Sequence, residues 1–403
     1  MQLRMPQTNY FMLPPSATVC LFVLPQEHDV SNKRTKTMLT NLAAGHPHDR
    51  VGDALHGQLW FLHISLRTCM RSLLSLAMLL AGNILYAEDL SKPGRYRVQT
   101  ELDQWTDPGR NNRVIPLKIY APANSKGRLP VVLFSHGGGG SREGNPLLGD
   151  HLASHGFVCI HLQHEGTDDR ASRRSPRSIR DAANDPKVCA DRFRDVAFAV
   201  QQVEKNELSQ VLRGRLDPER IGVSGHSLGG ITTQVIAGQD VKGYGQQFCL
   251  PKLKGAVILS PSLPRPGFGD SATAFKDMKM PMLSITGTAD TPPDKSFPAK
   301  ERRVPFDRTS NVEQWLLVLD GATHFTFSGN LERPRIAALL PGMEADPKLV
   351  ENHDKVKAVT LAFWRWTLLD DPIAKDQLTT VLPKIVQSNG ELEYKPAVQQ
   401  HAK

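Results

Sequence analysis

Residues 225–229 read Gly-His-Ser-Leu-Gly. The short apolar run Ile221-Gly222-Val223-Ser224 precedes them, and Ile231 to Ala237 follows with a helical pattern. Glycines two before and two after a serine suit a sharp strand-to-helix turn. Such a turn holds the serine in strained geometry and lets neighbouring backbone approach closely. The helix N-terminus beyond it favours developing negative charge. Ser227 is therefore the candidate nucleophile; the plainer alternative is an ordinary glycine-rich turn. A hydroxyl needs a base to become nucleophilic. Strand-ordered α/β enzymes with this turn carry acid and base later in the chain, in that order. The apolar run 281–286 leads into Gly287-Thr288-Ala289-Asp290, and the run 314–319 leads into Asp320-Gly321-Ala322-Thr323-His324. Asp290 and His324 are the candidate acid and base, each just past a strand end, where catalytic groups gather in open α/β sheets. Asp294 and Asp320 are rivals for the acid, read as solvated loop residues. His136, His151, His155, His161, His164 and His226 are read as structural or surface groups.

A second glycine cluster, Ser135-His136-Gly137-Gly138-Gly139-Gly140, follows the run 130–136. It can turn backbone N–H groups toward an oxyanion, as acyl transfer requires. Gly138 is favoured as that donor, with Gly137 and Gly139 as near alternatives. The N–H of Leu228, the residue after the nucleophile, is the expected second donor. Phe325 and Phe327 follow the base and either line an acyl pocket or simply pack. Arg170, Arg173, Arg174, Arg177 and Arg180 fall within eleven residues. They either attract an anionic substrate or surface, or form a solvated excursion between strand and helix.

The elements that must position these groups are readable as alternating apolar runs and helical patterns, as a parallel sheet with crossover helices requires. Strands are expected at 113–120, 130–136, 157–163, 221–224, 255–260, 281–286 and 314–319. Helices are expected at 146–155, 191–205 and 351–369. The hydrolase-like domain spans 88–375, and 376–403 reads as a loosely attached tail.

The chain has 403 residues, 40% of them hydrophobic, and a formal charge of +8. The basic residues are spread out, which gives no nucleic-acid footprint. Residues 1–69 show no sustained period and read as a mis-called or disordered extension. Met70-Arg71, the apolar stretch to Leu85 and the small residue Ala87 describe a signal peptide over 70–87. The apolar run is short for a membrane span, so export to the periplasm or outside is expected, with membrane anchoring if the signal stays uncleaved. In an oxidising compartment one disulfide becomes feasible, and Cys189 with Cys249 is the pairing expected. No Cys/His spacing suggests a metal site.

These residues resemble the α/β-hydrolase superfamily. The nearer resemblance is to its dienelactone-hydrolase-like and platelet-activating-factor acetylhydrolase-like branch. The matching text is Val-Val-Leu-Phe-Ser-His-Gly-Gly-Gly-Gly at 131–140, Ala-Ser-His-Gly-Phe-Val at 153–158, Asp191 to Val196, and 217–230 through Gly-His-Ser-Leu-Gly-Gly. The resemblance implies a mostly parallel eight-stranded sheet with helices on both faces. It implies Ser227, Asp290 and His324 as the triad, with Gly138 and Leu228 as the oxyanion hole. Dienelactone hydrolases carry a cysteine nucleophile where this chain has Ser227. The acetylhydrolases place their acid after an earlier strand, where this chain has Ser260-Pro261-Ser262. The expectation is a serine carboxylic ester hydrolase acting on a small-molecule or lipid ester, without cofactor. The alternatives are a lipase, polyesterase or peptidase with the same triad, or a non-catalytic binding protein, which typically lacks one triad member.

Overall fold

The computed structural model of the chain describes residues 88–398, without 207, 210, 211, 266 and 331–344. The extension at 1–69 and the signal peptide at 70–87 lie outside the described residues.

Among the described residues, nine strands form one sheet in the order β1-β2-β4-β3-β5-β6-β7-β8-β9. In chain order they are β1 Val98–Asp107, β2 Arg113–Pro122, β3 Leu129–Ser135, β4 Val158–Leu162, β5 Leu216–His226, β6 Ala256–Leu259, β7 Met282–Ala289, β8 Gln314–Thr323 and β9 Gly390–Lys395. The strands from β4 across to β8 run parallel; antiparallel pairs join β2 to β4 and β1 to β2 at one end, and β9 to β8 at the other. The parallel strands read as continuous apolar runs because both of their faces are covered. Val131 and Leu133 face helices α4 (Pro186–Lys205) and α5 (Leu228–Ile236). Val132 and Phe134 face α1 (Pro146–Ser154) and α6 (Leu349–Leu369) on the other side. This alternation is the period of two that a strand imposes.

The helix starts are encoded locally. The Asn145 side chain accepts from the Leu148 N–H, and Pro146 occupies the first turn of α1. Asp185 caps Lys187 ahead of Pro186 at the start of α4. Both are the polar cap followed by proline that helix N-termini favour.

The structure corrects three expectations. Among the described residues the sheet has nine strands rather than eight. The described part of the segment expected as a tail over 376–403, residues 376–398, is not loose: β9 pairs with β8 from Gln314↔Lys395 to Leu319↔Gly390. Leu378, Leu382, Val386 and Leu392 from this segment are buried in the core. The domain therefore continues well past residue 375. Its last strand, Gly-Glu-Leu-Glu-Tyr-Lys, alternates charged residues with a single deeply buried leucine, so it lacks the apolar run that marks the central strands. The third concerns Cys189 and Cys249, which are both free thiols. Cys189 lies in the regular helix α4 and points into the core, where its Sγ donates to the Ala182 carbonyl at 3.4 Å. Burial pushes this thiol up to about 11. Three further elements were not legible either: β1, whose Leu102 is exposed, and the helices α2 (Asp169–Arg174) and α3 (Pro176–Asn184) between β4 and α4. Among the described residues no helix is long and apolar enough to cross a membrane.

Candidate active site

Ser227 stands between the end of β5 and the first residue of α5, with φ 57° and ψ −115°. That backbone is costly for a non-glycine residue, on the order of 1–3 kcal/mol, and persists only where surroundings enforce it. The enforcement is visible. The Ser227 N–H donates to the Leu259 carbonyl at 3.0 Å, and its own carbonyl accepts from Ile231 at 3.0 Å. A Cβ on Gly229 would lie 1.9 Å from the Ser135 carbonyl oxygen, and one on Gly225 would lie 2.2 Å from that of Gly229. The two glycines of the motif thus serve close backbone approach.

The strands β7 and β8 bring the other two groups together. Their last register pair is Ala289↔Thr323, so the next residue on each strand, Asp290 and His324, meets its counterpart across the sheet edge. His324 Nδ1 donates to Asp290 Oδ1 at 2.8 Å, and His324 Nε2 lies 2.9 Å from Ser227 Oγ. Thr286 Oγ1 donates to the other carboxylate oxygen at 2.8 Å. Asp290 is fully buried, whereas Ser227 is half-buried and lines a pocket of about 230 Å³. The rivals fall elsewhere: Asp294 pairs with Arg265 at 2.9 Å, and Asp320 is exposed.

Sequence reasoning missed Arg302, a buried guanidinium behind the pair. Its Nη2 lies 3.2 Å from Asp290 Oδ1, and its Nε donates to the Asp290 carbonyl at 2.9 Å. Its Nη1 donates to the carbonyls of Ser260 and Pro261 at 3.1 and 2.9 Å. Nη2 is also 3.0 Å from His324 Nδ1; since that nitrogen carries the proton given to Asp290, the guanidinium donates to the carboxylate. Burial pushes the Asp290 carboxyl up, but Arg302 and the His324 hydrogen bond outweigh it and hold it below 3.8. Burial lowers His324 below 6.5; Asp290 opposes this, and Arg302 and Arg265 add to it. No local motif announces Arg302, twelve residues beyond the acid.

The glycine loop after β3 closes over the serine. Gly139 and Gly140 spend their N–H groups on the carbonyls of Thr167 and Gly137. That removes Gly139 as a donor to substrate and leaves Gly138 with Gly137. A Cβ on Gly137 would lie 3.3 Å from Ser227 Cβ, and one on Gly138 would lie 3.8 Å from Leu228 Cδ2. The first N–H groups of α5, including that of Leu228, have no intrahelical acceptor. Arg192 ties the two donor-bearing elements together. It donates through Nη2 to the His136 carbonyl at 2.5 Å and through Nε to Thr232 Oγ1 at 3.1 Å; Thr232 Oγ1 in turn bonds the Leu228 carbonyl at 3.1 Å. Arg192 was legible only as part of the Asp191–Val196 text.

A second Ser-His-Asp string lies beneath this loop. Ser135 Oγ, His164 Nε2, His164 Nδ1 and Asp195 Oδ2 link at 3.0 Å each. Ser135, His164 and Asp195 are at most 1% exposed, so no substrate reaches them, and they brace the end of β3 instead. His136 and His226, expected to be structural, line the Ser227 pocket and are also tied to backbone. His136 Nε2 accepts from the His164 N–H at 3.0 Å, and His226 Nε2 donates to the His324 carbonyl at 3.0 Å.

Phe325 lines the pocket and stands edge-on to His324 at 5.9 Å. Phe327 does not. The 3-10 turn Thr326–Ser328 rotates it into the core, 2% exposed, where it packs as an ordinary apolar residue. Of the arginine cluster, Arg180 lines the pocket, Arg173 pairs with Asp169, and Arg170 and Arg174 are exposed. The Arg177 side chain lies outside what the structure describes. Among the described residues no group of three or more His, Cys, Asp and Glu side chains is placed to hold a metal ion.

A family model described as "PETase: PET hydrolase-like" matches residues 116–339, more than half of the chain. Cutinase 2 of Thermobifida cellulosilytica is 29% identical over 209 residues, which cover 51% of this chain and 64% of that protein. Cutinase cut1 of Thermobifida fusca is likewise 29% identical over 209 residues, 51% of this chain and 53% of that protein. The chain thus spans between half and two thirds of the length of these curated relatives. By the extent of the family match, the chain belongs to the PET hydrolase-like family of the α/β-hydrolase superfamily.

Proposed function

We propose that this protein is a serine hydrolase that cleaves carboxylic esters through an acyl-enzyme. The observation that carries the reading is the continuous hydrogen-bonded chain from Ser227 Oγ through His324 to Asp290, opening into a pocket. His324 Nε2 takes the Ser227 proton as Oγ attacks the ester carbonyl. Asp290 holds the Nδ1 proton and stabilises the imidazolium without being protonated. The N–H groups of Gly138 and Leu228 receive the oxyanion, an effect worth several kcal/mol at about 10²–10³ in rate per donor. His324 returns the proton to the departing alcohol. Water then attacks the acyl-enzyme with His324 as base, and Ser227 is restored.

The likeness to a PET hydrolase-like family and to proteins called cutinases favours one narrower version, a polyesterase. The same triad serves small and polymeric esters, and pocket access separates them. Release of soluble acid from a polyester film, set against turnover of p-nitrophenyl acyl esters, divides the two versions.

The test of the chemistry is labelling of the purified protein by a fluorophosphonate, with Ser227→Ala alongside. Labelling at Ser227, and a folded variant that neither labels nor turns over p-nitrophenyl butyrate, is the expected result. Turnover retained by Ser227→Ala would sink the assignment. Export directed by residues 70–87 is also proposed. The basic start and short apolar run support it, and an exported product beginning at Glu88 is the expected outcome of N-terminal sequencing.

A further inference from the structure

The connections that follow β4, β6 and β7 meet over the Ser227 pocket. The first brings Ile179, Arg180 and Ala183 on α3, the second Arg265, and the third Asp294. A Cβ on Gly138 would lie 3.1 Å from Ile179 Cγ2, so α3 sits directly against the oxyanion loop. Phe134, Ile179, Ala183 and Phe325 give the pocket apolar walls between these charges. Arg265 Nη1 lies 2.9 Å from Asp294 Oδ2 and 3.5 Å from Asn184 Oδ1, which fixes one end of its guanidinium. Its Nε is buried with no hydrogen-bond partner. Arg180 is more exposed, and its contact with Asp181 is long, at 3.9 Å. Two guanidiniums therefore share the pocket lining with one carboxylate. A guanidinium that lines a pocket finds its best-matched acceptor in a carboxylate.

We propose that this pocket takes esters that carry a free carboxylate, which Arg265 and Arg180 receive while Ser227 attacks the ester carbonyl. The inference rests on the ester-hydrolase reading and names the substrate class for that site. Half-esters of dicarboxylic acids with an aromatic or short aliphatic spacer fit the apolar walls. Hydrolysis of such a substrate consumes one water, breaks the acyl C–O bond, and releases the alcohol, a dicarboxylate and one proton to solvent. A second effect points the same way. Arg265 is one of the charges that lower His324, so a carboxylate against Arg265 returns basicity to the base when substrate is bound.

The test compares matched pairs differing only in the free carboxylate. Monomethyl adipate against dimethyl adipate places it on the acyl side. Acetoxyacetate against its methyl ester, read by acetate release, places it on the alcohol side. In at least one pair the charged ester has the higher kcat/KM, mainly through a lower KM. Arg265→Gln and the exposed-site variant Arg180→Gln each reduce that charged-to-neutral ratio roughly tenfold, the worth of a hydrogen bond between charged groups. A ratio below one in both pairs for the unmodified protein, or a ratio that neither substitution moves, overturns the subsite. If the neutral esters are still turned over in that case, the ester-hydrolase reading stands without it. If no ester is turned over and fluorophosphonate fails to label Ser227, both fall together.

Discussion

Arg302 holds Asp290 by both its carboxylate and its backbone: Nη2 lies 3.2 Å from Oδ1 and Nε donates to the carbonyl at 2.9 Å. The same guanidinium bonds the carbonyls of Ser260 and Pro261 beyond β6. The acid is thereby fixed to two strand ends, and a positive charge stands beside the His324 ring. Arg302→Gln should move the acid limb of the kcat/KM profile to higher pH by roughly one unit. The sign follows from charge. Removing a cation makes the imidazolium less unfavourable, so His324 stays protonated to higher pH and is a base over a narrower range. Arg302→Lys restores charge without the planar fork and should return part of the limb. A pH profile superimposable on the parent's for Arg302→Gln would remove Arg302 from this role.

Arg192 joins the loop of Gly138 to the helix of Leu228 through His136 and Thr232. Arg192→Met should lower kcat more than it raises KM, because the two oxyanion donors lose their common brace. It should also cost about 2–4 kcal/mol of stability, as expected when a buried hydrogen-bonded charge is deleted. Urea unfolding and steady-state kinetics on the same preparation separate the two effects.

Gly229→Ala should prevent folding or cost more than about 3 kcal/mol, because its Cβ would stand 1.9 Å from the Ser135 carbonyl oxygen. Thermal unfolding decides it. A variant as stable as the parent would mean that the turn around Ser227 is not packed as described.

Truncation after residue 375 should yield an unfolded or aggregated product. It removes Leu378, Leu382, Val386 and Leu392 from the core and β9 from the edge of β8. At roughly 1.5–3 kcal/mol for each buried side chain, the loss rivals a domain's whole stability of about 5–15 kcal/mol. Circular dichroism and gel filtration read the result.

Stability should fall as the solution is acidified below the ordinary histidine value. Burial first of all lowers His161 and His226 to about 3 and His164 to about 4. Between 6.5 and those values the unfolded chain takes up protons that the folded chain refuses. Stability is therefore complete above 6.5 and is lost as pH falls, at up to ~1.4 kcal/mol per pH unit for each histidine. Asp195, with burial opposing and His164 and Arg113 prevailing, is held at about 2. Its contribution is lost only below 3.8. Urea midpoints at pH 7 and pH 5 should differ clearly, and coincident midpoints would contradict the buried neutral histidines.

The sequence by itself determined the chemistry-bearing points that depend on local structure. The turn around Ser227 needs small residues at fixed offsets, and buried parallel strands need continuous apolar runs; both leave marks a few residues long. Asp290 and His324 were legible for the same reason, since each follows such a run. The tertiary structure decided what depends on partners distant in the chain. It ended the ninth strand's reading as a tail, because an edge strand covered on one face carries charges that conceal it. It turned Phe327 into the core and left Phe325 in the pocket, a difference set by one 3-10 turn. It kept Cys189 and Cys249 apart as free thiols. It also placed Arg302, Arg192 and Arg265 against groups 12 to 81 residues away in sequence. An arginine's reach and its choice of carbonyl or carboxylate are settled only when the surrounding strands have met, so no spacing in the chain could announce them.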